Sequence, residues 1–325
     1  MAGWPGILTK DTIFRGFDDM LDFQPLMLED LPRLRKYFTI NPGRLCDSTP
    51  GSTFIWRDLY RVEYAEYNGS LYFKVTTPDA EVTFPLPLGE DRQEHYCTLS
   101  AHCCEAGVPI SFYPVPREEL DELQAFFPNT AAISNRDSAD YLYRAEDLKY
   151  FKGKKLSGQR NHVNKFRKSY DGIWEFKAIT AADIPAVSDF LDDYARRWNK
   201  PSPSFWEDIR KTHEILDNFR TYGLVGGMLL VEGRIAGFSL GEVVGDTLFT
   251  HIEKADRDFD GCYQMLVAQF AQMYAVDGVD FINREDDTGD PGLRTSKLSY
   301  HPVALLEKFS VTVEDPCTYA GICRL

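Results

Sequence analysis

Two short stretches bring together side chains that could move protons and hold charged groups. In HIEKAD, residues 251–256, His251 and Glu253 alternate with Ile252 and Lys254. On a strand, that alternation puts His251 and Glu253 on one side. Glu253 then reads as a general base, and His251 as the group that orients it or binds substrate. A histidine on a half-buried strand is as readily structural, and both readings stay open. In NREDDTGDPGLR, residues 283–294, Asn283, Arg284, Glu285 and Asp286 stand at the carboxyl end of an apolar strand, where mixed sheets place ligands. Their carboxylates could hold a cationic group or take a proton from an attacking amine. The plainer alternative is a polar loop capping the helix that begins near Pro291. Tyr263, Gln264, Lys297 and Tyr300 complete the set, with a tyrosine to protonate a leaving group and a lysine to neutralise a phosphate or an oxyanion.

Cations concentrate elsewhere. KYFKGKKLSGQRNHVNKFRKSY, residues 149–170, holds eight Lys or Arg and no acid, in a chain with a formal net charge of -14. Read as an amphipathic helix over 155–168, it turns Leu156, Val163 and Phe166 inward. Lys154, Lys155, Arg160, Lys165, Arg167 and Lys168 are then left to track the phosphates of a polyanion. The alternative is a solvated linker whose charges pair with acids elsewhere. Three other motifs carry no chemistry. GFSLG, residues 237–241, has the G-x-S-x-G spacing of serine hydrolases but strand on both sides. Ser239 is therefore no nucleophile, and the glycines allow close backbone approach. HYCTLSAHCC, residues 95–104, lacks a second ligand pair at zinc spacing, so no metal is expected there. EDDTGD lacks the ligand register of a calcium loop.

The elements that must position these residues can be read from patterning. The 325 residues make one large domain or two of ordinary size, and 43% hydrophobic residues with 14% aromatics are globular. No run approaches the ~20 apolar residues of a membrane helix, and the amino terminus has no secretory pattern. The 7 cysteines are odd in number and irregularly spaced. Reduced thiols and a cytoplasmic location are expected. FQPLMLEDLP (residues 23–32) and FKAITAADIP (176–185) each read as a strand, a turn and a helix start, with Asp30 and Asp183 as N-caps and Pro32 and Pro185 in the first turn. AGVPISF (106–112) and DGVDFIN (277–283) each read as a helix ending at Gly and passing into a strand. Two echoes in one order predict an internal duplication.

In the second half, a strand over 173–180 is followed by helices over 182–197 and 204–220. A three-strand meander with Glu232-Gly233 at a hairpin turn comes next, then a helix, a strand, a short helix and a final strand over LEKFSVTVE. The fold class is α+β, a tandem of mixed sheets with helices on their faces. The expected divisions are an extension (1–20), a first domain for binding or scaffolding (21–147), a basic connector (148–172) and a second domain with the cleft (173–325).

That order of elements resembles the GCN5-related N-acetyltransferase fold. Two such units joined by basic helical sequence resemble the Fem-type and phosphatidylglycerol lysyltransferase-type aminoacyl transferases. GKKLSGQRNHVNKF, HIEKAD, GCYQML and NREDDTGDPGLRTSKLSYHP are similar to stretches of a bacterial family grouped with the phosphatidylglycerol lysyltransferase carboxy-terminal domain, over about residues 22–313. The resemblance implies that parallel strands over 248–254 and 279–285 splay apart to hold an acyl donor, with Gly261 in an anion-binding turn, ADRDFDGCYQ. Acetyltransferases of this fold carry Arg or Gln and then Gly-x-Gly or Gly-x-Ala there. Here Gly261 is the only glycine, and Asp258 and Asp260 crowd the place with negative charge. The resemblance thus implies transfer of an aminoacyl group, lysyl among the candidates, from charged tRNA to an amine or a hydroxyl such as a lipid headgroup. Two alternatives stay open: an acetyl-CoA-dependent N-acetyltransferase acting on a cationic amine or peptide, and a non-catalytic binding protein.

Overall fold

A computed structural model describes residues 21–198 and 201–320; the expected extension over 1–20 lies outside the described residues. The strands in chain order are β1 (Gln24–Pro25), β2 (Val62–Tyr67), β3 (Ser70–Thr76), β4 (Val82–Thr83), β5 (Ile110–Pro116), β6 (Ala132–Ser134) and β7 (Asp140–Arg144). They continue with β8 (Trp174–Ala178), β9 (Val225–Val231), β10 (Arg234–Val244), β11 (Thr247–Ala255), β12 (Phe281–Asn283), β13 (Ala304–Leu306) and β14 (Lys308–Val313).

One sheet runs β8-β9-β10-β11-β12-β7-β13, with β11 and β12 parallel and the other neighbours antiparallel. The remaining strands form β1-β2-β3-β4 and β5-β14-β6, linked by a parallel bridge between Phe84 and Phe112. Placed end to end they read β1-β2-β3-β4, parallel to β5, then β14-β6. The two series correspond place for place, which is the duplication seen in sequence. One feature differs from simple tandem repeats. β7, which closes the first half of the chain, lies between β12 and β13, and β14, which closes the second half, lies between β5 and β6. Each half lends its seventh and last strand to the sixth place in the other's sheet.

The compact units follow that exchange. Among the described residues, 21–26, 57–134 and 308–320 form one unit, and 27–56 with 135–307 the other. The expected boundaries at 147 and 173 therefore do not divide them, and the basic segment lies inside the second unit. LEKFSVTVE is not one strand: it breaks at Glu307 into β13 and β14, which belong to different sheets.

Local chemistry explains the repeated elements. Asp30 accepts the Met27 N–H at 3.0 Å, and Asp183 accepts the Thr180 N–H at 2.9 Å, the same backward reach in both copies. Each opens a helix with Pro in its first turn, Leu31–Leu34 and Ile184–Arg196. Glu232 and Gly233, at φ 50° and 73°, form the two-residue turn between β9 and β10.

The helix Ser157–Ser169 buries Leu156, Val163 and Phe166, as the spacing predicts, in a core shared with Met265, Leu266 and Phe270 of the helix Cys262–Tyr274. Each such side chain contributes roughly 1.5–3 kcal/mol by leaving water. In the first unit, Cys104 and Cys317 form a disulfide across a sequence separation of 213. The expectation of reduced thiols thus fails for these two and for Cys97, also disulfide-bonded, while Cys46, Cys103 and Cys262 are buried thiols. No helix among the described residues is long and apolar enough to cross a membrane.

Candidate active site

β11 and β12 pair at three positions only: Thr247 with Phe281, Leu248 with Ile282 and Phe249 with Asn283. Beyond Phe249, β11 runs on beside β10 to Ala255, while the chain after Asn283 stays with Tyr141 of β7. The strands separate there, leaving one edge of β11 open. The cause lies in β11. Leu240 pairs with Ile252 and Gly241 with Thr250, so His251 is an extra residue, a β-bulge. The bulge needs close contact with β10. A Cβ on Gly241 would lie 2.1 Å from the Phe249 carbonyl oxygen, and one on Gly237 2.8 Å from that of Lys254. The GFSLG glycines serve this contact, and Ser239 is buried within β10.

The bulge also breaks the alternation that would put His251 and Glu253 together. His251 instead meets Glu242 Oε1 through Nε2 at 3.1 Å and Glu285 Oε1 through Nδ1 at 2.8 Å. With a carboxylate on each nitrogen, both nitrogens donate and the ring is an imidazolium. Burial opposes that charge, but the two carboxylates outweigh it and push the pKa up to about 10. Glu242 is buried, which raises its pKa, yet His251 and the Gly51 N–H at 2.6 Å bring it below its ordinary value. Arg35 stands 3.6 Å from the other oxygen of Glu242. Gly51 has no room for a side chain: a Cβ would lie 2.4 Å from Glu242 Oε1 and 2.7 Å from His251 Nε2.

Glu285 is the most tethered member. Its backbone is left-handed at φ 57°, a conformation that side chains disfavour and that sites retain when the surroundings enforce it. The enforcement is visible. Its N–H donates to Asn283 Oδ1 at 2.6 Å, and its carbonyl accepts from Tyr141 N–H at 3.2 Å. Lys297 Nζ donates to the carbonyls of Arg284 at 2.6 Å, Glu285 at 3.3 Å and Asp286. Lys297, expected to neutralise a substrate anion, is therefore committed to shaping this loop, and burial pulls its pKa down. Asn283 is buried and donates to Asp140 at 2.8 Å and to the Arg44 carbonyl at 2.7 Å. Asp286 accepts the Thr288 N–H at 3.0 Å.

Glu253 pairs with Arg284 at 2.7 Å, both nearly enclosed. The Arg284 guanidinium lies 4.6 Å from the centre of the Tyr300 ring. Burial opposes its charge, but Glu253 holds its pKa above the ordinary value. Tyr300 is buried and that burial raises its pKa, against the opposing pull of the neighbouring Arg284 guanidinium. Neither expected role, Glu253 as a free base or Tyr300 as a proton donor, matches these contacts; both groups fix Arg284. Tyr263 is placed better. Burial raises its pKa, which the neighbouring Tyr194 hydroxyl and the Ala255 N–H, on the open edge of β11, lower in part. Gln264 follows it, half-buried, on the helix Cys262–Tyr274.

Gly261 caps that helix at φ 80°, and a Cβ on it would lie 2.3 Å from the His162 carbonyl oxygen. It lets the turn pack on the basic helix. Around it Asp256 pairs with Arg197 at 2.7 Å and Asp260 with Lys165 at 2.6 Å. The basic set divides. Lys155 pairs with Asp147 at 2.8 Å, Lys165 with Asp260, and Arg160 donates to the Phe151 and Gly153 carbonyls. Lys154, Arg167 and Lys168 meet no acid among the described residues.

Cys46, Asp47 and Asp140 bring ligand-type atoms within 4.8 Å of one another. Asp140 already accepts the Cys46 N–H at 2.7 Å and the Asn283 amide, which accounts for its position. His95 is buried on Ser70 Oγ at 2.9 Å, and burial drives its pKa down to about 4. Sequence reasoning missed Glu242, Gly51, Arg35 and Tyr194. Gly51 lies 191 positions from Glu242, and nothing in the local pattern around either residue points to the other.

The profile of the family described as phosphatidylglycerol lysyltransferase, C-terminal, matches residues 42–312. A crystal structure of a conserved protein of unknown function from Bacteroides thetaiotaomicron VPI-5482 is 30% identical, covers 91% of this chain and 100% of its own, and superposes with a TM-score of 0.83. L-PGS from Bacillus licheniformis is 16% identical over 90% of this chain and 96% of its own, with a TM-score of 0.58. FemX is 10% identical over 93% and 100%, with a TM-score of 0.56. The latter two likenesses are of fold. The chain belongs to the phosphatidylglycerol lysyltransferase C-terminal family and, by that membership, is an acyltransferase.

Proposed function

We propose that the protein moves an aminoacyl group from charged tRNA to an amine or hydroxyl acceptor. The observation that carries the reading is the opening between β11 and β12, with the Tyr263 hydroxyl at one end and a fixed carboxylate beside it. The ester carbonyl would accept from the Tyr263 O–H, which stabilises the developing oxyanion. The α-ammonium of the aminoacyl group would meet the outer oxygen of Glu285, held in place by His251. The acceptor atom bonds to the carbonyl carbon, the C–O bond to the ribose breaks, and the acceptor's proton ends on the ribose oxygen. Because His251 and Glu253 are tied into charge pairs, positioning carries most of the rate. Lys154, Arg167 and Lys168 remain to meet tRNA phosphates.

The family description supports lysyl as the transferred group and phosphatidylglycerol as one acceptor to test. Asp256, Asp258 and Asp260 around the helix turn disfavour the pyrophosphate of acetyl-CoA. The test is to incubate the purified protein with radiolabelled lysyl-tRNA and candidate acceptors, with tRNA binding measured by filter assay at two salt concentrations. Acceptor-dependent loss of label from tRNA is expected, with binding that weakens as salt rises. Absent or salt-insensitive tRNA binding, or tight calorimetric binding of acetyl-CoA, would overturn the reading.

A further inference from the structure

A cavity of about 680 Å³ lies in the second unit between the helix Ile184–Arg196, the β9–β10 turn and the end of β11. That volume suits a small molecule. Its wall includes Tyr194 and Ala255, both neighbours of Tyr263, so it adjoins the donor assigned to the ester carbonyl. We propose that this cavity is the acceptor site and takes a small amphoteric amine, with an ammonium and a carboxylate on one short scaffold, as in a free amino acid or short peptide. The proposal rests on the aminoacyl-transfer reading.

Charge accounting gives the ligand class. Four aspartates and three arginines line the cavity, and most are already engaged. Arg197 holds Asp256 at 2.7 Å and Asp258 at 3.5 Å, Arg196 holds Asp193, and Arg257 lies 5.0 Å from the centre of the Trp198 ring. Arg257 has the Trp198 face but no carboxylate. Asp189 and Arg234 are left with neither an opposite charge nor an aromatic face among the described residues. They come from different elements, helix and hairpin, and are both exposed toward solvent. With Arg257 laid on Trp198, one unengaged carboxylate and one unengaged guanidinium across a single cavity match a ligand carrying one charge of each sign. Phe190, Tyr194 and Trp198 supply an aromatic wall for the short apolar chain between them. A simple diamine would leave Arg234 unmatched, and a dicarboxylate would leave Asp189 unmatched.

Calorimetric titration of the whole chain with 5-aminopentanoate, cadaverine and glutarate tests this, since the three share length and differ only in end groups. 5-Aminopentanoate is expected to bind at least tenfold tighter than either of the others. Asp189→Asn should weaken 5-aminopentanoate and cadaverine but leave glutarate unchanged. Arg234→Gln should weaken 5-aminopentanoate and glutarate but leave cadaverine unchanged. Equal binding of all three, indifference to both substitutions, or binding of phosphatidylglycerol vesicles without 5-aminopentanoate would overturn the proposal. Binding with no turnover of charged tRNA would sink the transfer reading and leave only the cavity's ligand class standing. Turnover indifferent to both substitutions would do the reverse.

Discussion

His251 should stay protonated well above neutral pH, and the stability of the protein should show it. Its pKa rises from an ordinary 6.5 to about 10 in the folded chain. A raised folded pKa gives stability that is complete below about pH 6.5 and is lost as pH climbs through about 10. Integrated over one proton, that shift contributes about 4 kcal/mol at pH 6.5 and about 1 kcal/mol at pH 9.5, a fall of roughly 3 to 3.5 kcal/mol. The perturbation is His251→Gln, which removes the titration but leaves the other ionisable groups in place. Urea unfolding of both proteins at the two pH values gives the comparison. The wild type should lose roughly 3 kcal/mol more than the variant between them. Nitrogen-15 shifts of labelled histidine supply an independent reading, with both ring nitrogens of His251 remaining protonated at pH 8. Parallel pH profiles, or an imidazole titrating near 6.5, would refute the doubly bonded imidazolium and with it the anchoring of Glu285.

The other expectations are brief. Gly51→Ala should cost about 1–3 kcal/mol in denaturant melts and abolish transfer, because the added methyl collides with Glu242 and His251. Glu253→Ala should cost about 3–5 kcal/mol by leaving Arg284 enclosed without a partner, and Arg284→Met in the same chain should recover much of it. Charge reversal at Lys154, Arg167 and Lys168 together should weaken tRNA binding about tenfold or more and flatten its salt dependence by roughly 2 to 3 in slope. Reversal at Lys165, already paired with Asp260, should matter less. Residues 148–325 expressed alone should lack a cooperative melt by circular dichroism, since the slot between β12 and β13 needs β7 from the first half.

What the sequence disclosed and what it withheld divide along a physical line. Local rules were readable. Asp30 and Asp183 reach back to the same relative N–H, Glu232-Gly233 makes its tight turn, and Leu156, Val163 and Phe166 point inward, because each depends on neighbours a few residues away. The divergence of β11 from β12 was implied by the resemblance to the acetyltransferase fold rather than by any residue. Side-chain partners across long separations were not readable. The bulge at His251 depends on its pairing with β10, so simple alternation misplaced the histidine relative to Glu253. The disulfide joins Cys104 to Cys317, positions with no shared local signal.

The strand exchange carries this furthest. β7 and β14 each read as an ordinary strand, and a strand's pattern states which face is buried but not which edge it will join. Yet that choice decides where the site is made. With β7 beside β12, Tyr141 can hold Glu285 and Asp140 can hold Asn283, while 27–56 brings Gly51 and Arg35 to Glu242. The first half is therefore no separate scaffold. It supplies the residues that fix both carboxylates around His251, so loss of function from a substitution in 27–56 or 140–144 should be sought in the geometry of Glu285.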